Sequence, residues 1–378
     1  MESTVLRRTW AEIDMAALTY NYHKLRGMMA PTAKFMGVVK GNSNGHGAVQ
    51  VARKLTELGA DYLAVATADE ARELRANGIT LPVLVLGHTP VEMTGELIRH
   101  NITQAVAGPR QARAYSEAAA KYGKPLTVHL KADTGMSRIG VQVREEYFES
   151  GVKMLKELYD LPNLNVEGIF THFSVSDGRD DESEKYTREQ FDWFVKTTEA
   201  LQAMGCTFAL RHCCNSSALT RFPEMHMDMC RTGTALMGMG LEAIPYGLKP
   251  VMRFKTCIYT VKEFEPGYYV SYGCTVKTTR KTRIGVIPAG YADGLFRGLT
   301  AKASLMTADG PAPLIGRVCM DMSMIDLTDL PNIGEGDEVE IFGEKQLVGV
   351  ISGILDTVDN ECTNAVSRRV PRIYINND

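Results

Sequence analysis

From about residue 30 to 240 the chain alternates short apolar, β-branched runs with longer segments whose apolar residues recur every three or four positions. The short runs are Phe35–Lys40, Tyr62–Ala66, Val83–Leu86, Thr103–Val106, Leu126–Lys131, Val166–Thr171, Phe208–His212 and Met227–Arg231. They are bounded by turn residues and predict strands. Between them, Ala48–Leu58, Ala68–Asn77, Arg110–Tyr122, Glu145–Tyr159 and Glu182–Ala203 carry helical periodicity. Strand then helix, about eight times over some 200 residues, predicts an α/β fold, a (β/α)8 barrel. The rival, a doubly wound sheet, asks for a Gly-x-Gly-x-x-Gly turn after an early strand. The chain has none.

After Leu241 the texture changes. Met252–Glu263, Tyr269–Tyr272, Arg283–Pro288, Ala303–Met306, Leu314–Met320, Met324–Leu327 and Glu338–Phe342 are β-rich, with Gly, Pro and Asp between them. Helical periodicity returns only at Val348–Leu355. The expected organisation is a barrel over residues 10–243 and a mostly β domain over residues 244–378, to which an N-terminal strand within residues 1–14 is added.

Composition narrows the function classes. The 378 residues are 44% hydrophobic and 23% charged, with a net charge of -3. No basic stripe marks a nucleic-acid surface, and the apolar runs are too short to span a bilayer. The segment Met1–Trp10 lacks the apolar stretch of a signal peptide. A cytoplasmic protein is expected, without nucleic-acid or membrane partners. The 8 cysteines show no Cys-x-x-Cys pair and no zinc spacing. They are expected to be free, mostly buried thiols, and no metal is expected.

One stretch carries chemistry. The run Phe35-Met36-Gly37-Val38-Val39 ends in Lys40, and a turn rich in Gly, Asn and Ser follows. A strand-ending lysine is most simply a surface residue. At the carboxyl end of a barrel strand it also stands where barrel enzymes place their reactive groups, and a desolvated amine there can attack an aldehyde.

Val38-Val39-Lys40-x-Asn42-x-x-Gly45-His46-Gly47 resembles the pyridoxal-phosphate lysine motif of the alanine racemases. The resemblance covers nearly the whole chain. It continues through Lys131 to Gly140 with Arg138, Thr171-His172-Phe173, His212 to Ser216, Arg231 to Thr234, Val270 to Gly273, Gly290-Tyr291-Ala292-Asp293-Gly294, Gly316 to Asp321 and Arg369 to Arg372. It implies a barrel with a β domain, a homodimer with shared active sites, and pyridoxal 5'-phosphate as cofactor. The implied reaction interconverts L- and D-alanine by proton transfer at Cα with two bases. Lys40 would hold the cofactor as a Schiff base and act as one base. Tyr272, from the partner subunit, would be the other, coupled through His172 to Arg231. Arg231 would bind the pyridine nitrogen; Asn215, Ser216, Gly233 and Thr234 fall in the matching cofactor motifs, the last three at phosphate-binding positions. Arg138 would clamp the substrate carboxylate, Lys131 would orient Arg138 if carbamylated, and Met320 and Tyr291 would line the pocket and its entrance.

The chain departs from the family pattern at three places. Asn44 and Arg368 stand where the family has two tyrosines near the phosphate, and Met237 where an aromatic is frequent. Asn44 and Arg368 are expected to form a polar pocket. Arg368 then either takes the phosphate itself, or it reaches the substrate side chain and shifts specificity toward serine or a polar, acidic or larger amino acid. A barrel decarboxylase would carry a carboxylate in place of Arg231. A single-barrel cofactor carrier would lack the β domain. His23, His88, His100, His129 and His226 have no partner pattern and are expected to be structural or exposed.

Overall fold

The computed structural model describes residues 8–377. They form two compact units. One contains Asn21–Ser43 and Ala48–Leu236; the other contains the chain up to Tyr20, Asn44–Gly47, and the chain from Met237 onward. Strand β1 (Thr9–Asp14) belongs to the second unit. The first seven residues of the expected N-terminal strand segment lie outside the described residues.

In the first unit the strands are β2 (Lys34–Val38), β3 (Tyr62–Val65), β4 (Val83–Val85), β5 (Ile102–Val106), β6 (Leu126–Asp133), the short β7 (Val141–Gln142), β8 (Leu164–Phe170), β9 (Leu210–His212) and β10 (Met229–Thr232). Eight of them pair in parallel in the order β10-β2-β3-β4-β5-β6-β8-β9, with β7 beside β6. The ring closes between β9 and β10 through the Asp228 N–H to the Arg211 carbonyl (3.1 Å) and the Arg231 N–H to the Cys214 carbonyl (3.0 Å). Each of the eight expected strands is present, with ends moved by no more than two residues. Strands this continuously apolar are buried on both faces, and β3, β4 and β5 are buried throughout. Inside the ring, Met36, Tyr62, Ala64, Leu84, Ala105, Phe170, Leu210 and Met229 make one cluster.

The helices follow their capping chemistry. Thr67 and Glu70 form a capping box at the start of Ala68–Ala76, and Asp180 accepts from the Ser183 N–H to start Asp181–Ala203. The expected helix Glu145–Tyr159 begins with a 3-10 turn and becomes α-helical at Phe148. The helix Met15–Met28 was not among the expected ones. Its buried face includes Asn21, which donates to the Leu236 carbonyl, while Tyr20 is exposed, so polarity does not report burial there.

The second unit holds β11 (Met252–Cys257), β12 (Thr260–Phe264), β13 (Tyr269–Val270), β14 (Val276–Lys277), β15 (Thr282–Ile287), β16 (Ser304–Met306), β17 (Pro311–Ile315), β18 (Ser323–Asp326), β19 (Glu338–Phe342) and β20 (Arg372–Ile375). A nine-stranded sheet runs β12-β15-β18-β17-β16-β19-β11-β1-β20, and β13 and β14 form a separate hairpin. Three expectations are corrected here. Met252–Glu263 is two strands, divided where the chain leaves β19 at Cys257 to pair with β15 from Thr260. The run Leu314–Met320 stops at Ile315, because Gly316 turns the chain with φ 66°. Tyr272 lies outside any strand, in a 3-10 turn over Tyr272–Cys274.

Candidate active site

Lys40 follows the carboxyl end of β2, and the backbone then winds left-handed. Gly41, Asn42, Ser43 and Asn44 have φ of 61°, 53°, 54° and 51°. L-residues resist this conformation by about 1–2 kcal/mol each, so the turn needs ties. The Ser43 N–H donates to the Val39 carbonyl (2.8 Å), and the Asn42 side chain accepts from the Ala48 N–H (2.9 Å). Lys40 is accessible, yet protein surrounds much of its amine. That desolvation, and then the charge of Arg138, lowers the amine below the ordinary lysine range; Glu70 opposes the shift and Arg231 adds to it.

Arg231, on β10, is buried, and both of its terminal nitrogens are hydrogen-bonded. One terminal nitrogen donates to His212 Nδ1 (2.9 Å); the other donates to the carbonyls of Thr171 (2.9 Å) and Cys213 (2.9 Å) and to His172 Nδ1 (3.1 Å). A guanidinium only donates, which assigns the rest of the network. His212 Nδ1 accepts, so its Nε2–H donates to His129 Nδ1 (2.9 Å), and His129 Nε2–H donates to Glu167 Oε2 (3.0 Å). The Tyr62 hydroxyl donates to the same carboxylate oxygen (2.9 Å). Two neutral imidazoles thus connect a buried cation to a half-buried anion. Desolvation, then the nearby Arg231 charge, drives His172 and His212 well below the usual imidazole range. Desolvation lowers His129 as well, against the pull of Glu167.

Lys131, on β6, is buried over the Phe170 ring, 4.4 Å from its centroid. Burial, then Arg231 and Arg138, holds its amine well below the usual range. The loop that carries exposed Arg138 is pinned by Asp133, whose Oδ1 accepts from the Gly135 (3.0 Å) and Ser137 (3.1 Å) N–H groups. Beyond β9 and β10, the Ser216 hydroxyl accepts from the Gly233 (3.2 Å) and Ala235 (3.3 Å) N–H groups. Asn215 accepts from the Ala218 N–H (2.9 Å) and the Ser176 hydroxyl (2.9 Å). Lys40, Lys131, Arg138, His172, Asn215, Ser216, Arg231, Gly233 and Thr234 therefore belong to one unit, in or just beyond the carboxyl ends of its strands.

Tyr272, Tyr291, Met320 and Arg368 belong to the other unit. Tyr272 is 71% exposed, at the tip of a turn held by the Ser271 hydroxyl on the Arg317 carbonyl (2.7 Å). Gly273 takes φ 75°, and a Cβ there would come within 2.8 Å of the Arg317 guanidinium. Tyr291 and Met320 are exposed on two loops joined by the Tyr291 N–H to the Cys319 carbonyl (3.0 Å) and the Ala292 N–H to the Met320 carbonyl (3.0 Å). Asp293 is buried against Arg369 (2.7 Å) and Arg8 (3.0 Å). Arg368 is exposed and makes no hydrogen bond or ion pair among the described residues. Asn44 is buried, and no hydrogen bond joins its side chain to Arg368.

His129, expected to be structural or exposed, is buried and structural, and its place at the centre of a hydrogen-bonded chain was not expected. With it the sequence missed Glu167, Tyr62 and the pairing role of His212. A signal was present: Thr127, His129, Lys131 and Asp133 put polar side chains at alternate positions of a strand whose other positions are apolar.

Residues 13–240 match the family model "Alanine racemase, N-terminal domain", and residues 251–374 match "Alanine racemase, C-terminal domain". The alanine racemase of Desulfovibrio desulfuricans is 40% identical over 373 residues, covering 98% of each chain. Alanine racemase 1 of Oceanobacillus iheyensis is 38% identical, covering 99% of this chain and 100% of its own. Among solved structures, the alanine racemase of Clostridium difficile superposes with a TM-score of 0.91 at 36% identity, over 100% of this chain and 98% of its own. That of Streptomyces lavendulae gives 0.91 at 32% identity, over 98% of each.

Proposed function

We infer that this chain, which belongs to the alanine racemase family, interconverts L- and D-alanine, with pyridoxal 5'-phosphate bound at Lys40. One observation carries the assignment. A lysine amine of lowered basicity follows a barrel strand, and the buried Arg231 acting on it is fixed by two neutral imidazoles. The residues fit such a cofactor: an amine for its aldehyde, a guanidinium for its ring nitrogen, and the small residues Ser216, Gly233 and Thr234 for its phosphate. Arg368, a cation without a hydrogen bond or ion pair among the described residues, would serve the phosphate as well.

When bound, the cofactor withdraws electrons from the substrate's Cα and makes its proton removable. The chain supplies everything else. Lys40 moves a proton at one face of Cα, and the Tyr272 phenol of a second copy moves one at the other. The exposure of Tyr272 at the tip of a rigid turn supports service to a neighbouring subunit. Arg138 offers a fork for the substrate carboxylate, and Lys131 orients it when carbamylated, a change that exchanges a cation for an anion. Arg231 donates a hydrogen bond without surrendering a proton, so it limits the ring's electron demand and favours return of the proton over side reactions. Asn215 holds the loop after β9, and Met320 and Tyr291 bound the substrate space. A cytoplasmic location agrees with the free state of all the cysteines.

The test is a chiral assay of the purified protein with added cofactor in deuterated water. Both alanine enantiomers should racemise, and alanine should exceed serine, aspartate, glutamate and lysine. Tyr272→Phe should suppress α-proton exchange from one enantiomer by about 10²-fold or more and from the other far less. Equal suppression from both contradicts the two-base assignment, and a preference for a polar or acidic side chain assigns Arg368 to the substrate instead.

A further inference from the structure

Glu70 occupies the third position of the helix Ala68–Ala76, where a capping-box glutamate meets the N–H of the capping residue. Its Oε2 does accept from the Thr67 N–H (3.3 Å), and it also accepts from the Ala66 N–H (2.7 Å). Its Oε1 reaches out of the helix altogether and accepts from the Gly41 N–H (2.7 Å). That N–H lies in the same peptide plane as the Lys40 carbonyl. One carboxylate therefore fastens the peptide after Lys40 to the chain leaving β3.

The fastening comes where the backbone most needs one. The left-handed run begins at Gly41 and contains three residues other than glycine, and such a run is not self-supporting in L-amino acids. Of its other ties, the Ser43 N–H to the Val39 carbonyl spans this peptide without bonding its N–H, and the Asn42 side chain acts further along the turn. Without the Glu70 bond, the Gly41 N–H loses its acceptor and the peptide that carries the Lys40 carbonyl is held less firmly.

We propose that Glu70 is a positioning residue for Lys40, holding the Lys40–Gly41 peptide so that the lysine amine stays aimed at the cofactor carbon. The inference rests on the assignment of Lys40 as the cofactor lysine. Charge gives Glu70 a second effect. Arg138 and Arg231 are the cations acting on Lys40, Glu70 is the anion among the groups that do so, and Lys131 and His172 complete the titratable set nearby.

The experiment compares Glu70→Gln, Glu70→Asp, Thr67→Ala and Lys40→Ala holoenzymes. It reads kcat and KM for L-alanine, Tm, and a pH titration of the visible band of the lysine-bound cofactor. Thr67→Ala breaks the helix cap and leaves the Glu70 carboxylate in place. It should lower Tm by a few degrees and leave kcat and the band midpoint unchanged. Glu70→Gln should lower kcat by about tenfold or more with KM within about twofold, and move the band midpoint down by about half a pH unit or more. Glu70→Asp keeps the charge but is too short for the span, so kcat falls and the midpoint holds. A Glu70→Gln enzyme that matches Thr67→Ala in kcat and midpoint reduces Glu70 to a helix cap and overturns the proposal. If that variant does not fold, a Glu70→Asp enzyme with full kcat overturns it equally. Persistence of the band in Lys40→Ala would instead overturn the underlying lysine assignment.

Discussion

Three histidines of the barrel unit, the buried His129 and His212 and the partly exposed His172, are held neutral, and this sets a sign for stability. Their folded pKa values lie below the ordinary value near 6.5. Below that value the unfolded chain binds protons that the folded chain refuses, so stability is present above about pH 6.5 and falls on acidification. Each such histidine contributes a slope of roughly 1.4 kcal/mol per pH unit once its unfolded form is charged. Glu167, lowered by the His129 hydrogen bond, acts in the same direction at lower pH. Urea unfolding followed between pH 8 and 5 should therefore show steadily falling stability, and His129→Gln should flatten the slope. An unchanged slope would mean that His129 is charged in the fold and that the donor directions from Arg231 to Glu167 are wrong.

At the scale of elements, the Tyr272 turn is a part of the proposed machinery whose backbone is exacting. Ser271 and Gly273 both take positive φ, and Gly273 faces Arg317. Gly273→Ala should cost about 1 kcal/mol or more in the β unit and lower racemase turnover, with the cofactor's absorption intact. Full turnover in that variant would detach the turn from the reaction. The sequence could announce the barrel because strands buried on both faces alternate with amphipathic helices, and each leaves its own period. It pointed to Lys40 by its place at the end of a barrel strand, but to Arg231 and Tyr272 only through resemblance, since an exposed tyrosine is ordinary by itself. It was silent on Glu70 and Glu167, whose roles come from hydrogen bonds to Gly41 and His129, 29 and 38 positions away. The break inside Met252–Glu263 was equally hidden, because both halves are β-prone and only their partners differ.

For the whole molecule, the proposal divides the two bases between two copies of the chain. Lys40→Ala and Tyr272→Ala proteins should each be inactive. Mixed under conditions where subunits exchange, they should recover part of the wild-type rate, because one of the two sites in a heterodimer keeps both groups. Demonstrated exchange without recovery would place both bases in one chain. The account as a whole depends on which amine carries the cofactor, and two barrel lysines, Lys40 and Lys131, have the lowered basicity for it. Borohydride reduction of the holoprotein, followed by digestion and mass spectrometry, answers this directly. The reduced cofactor should be found on the peptide containing Lys40, and its recovery on Lys131 or any other lysine would contradict the account.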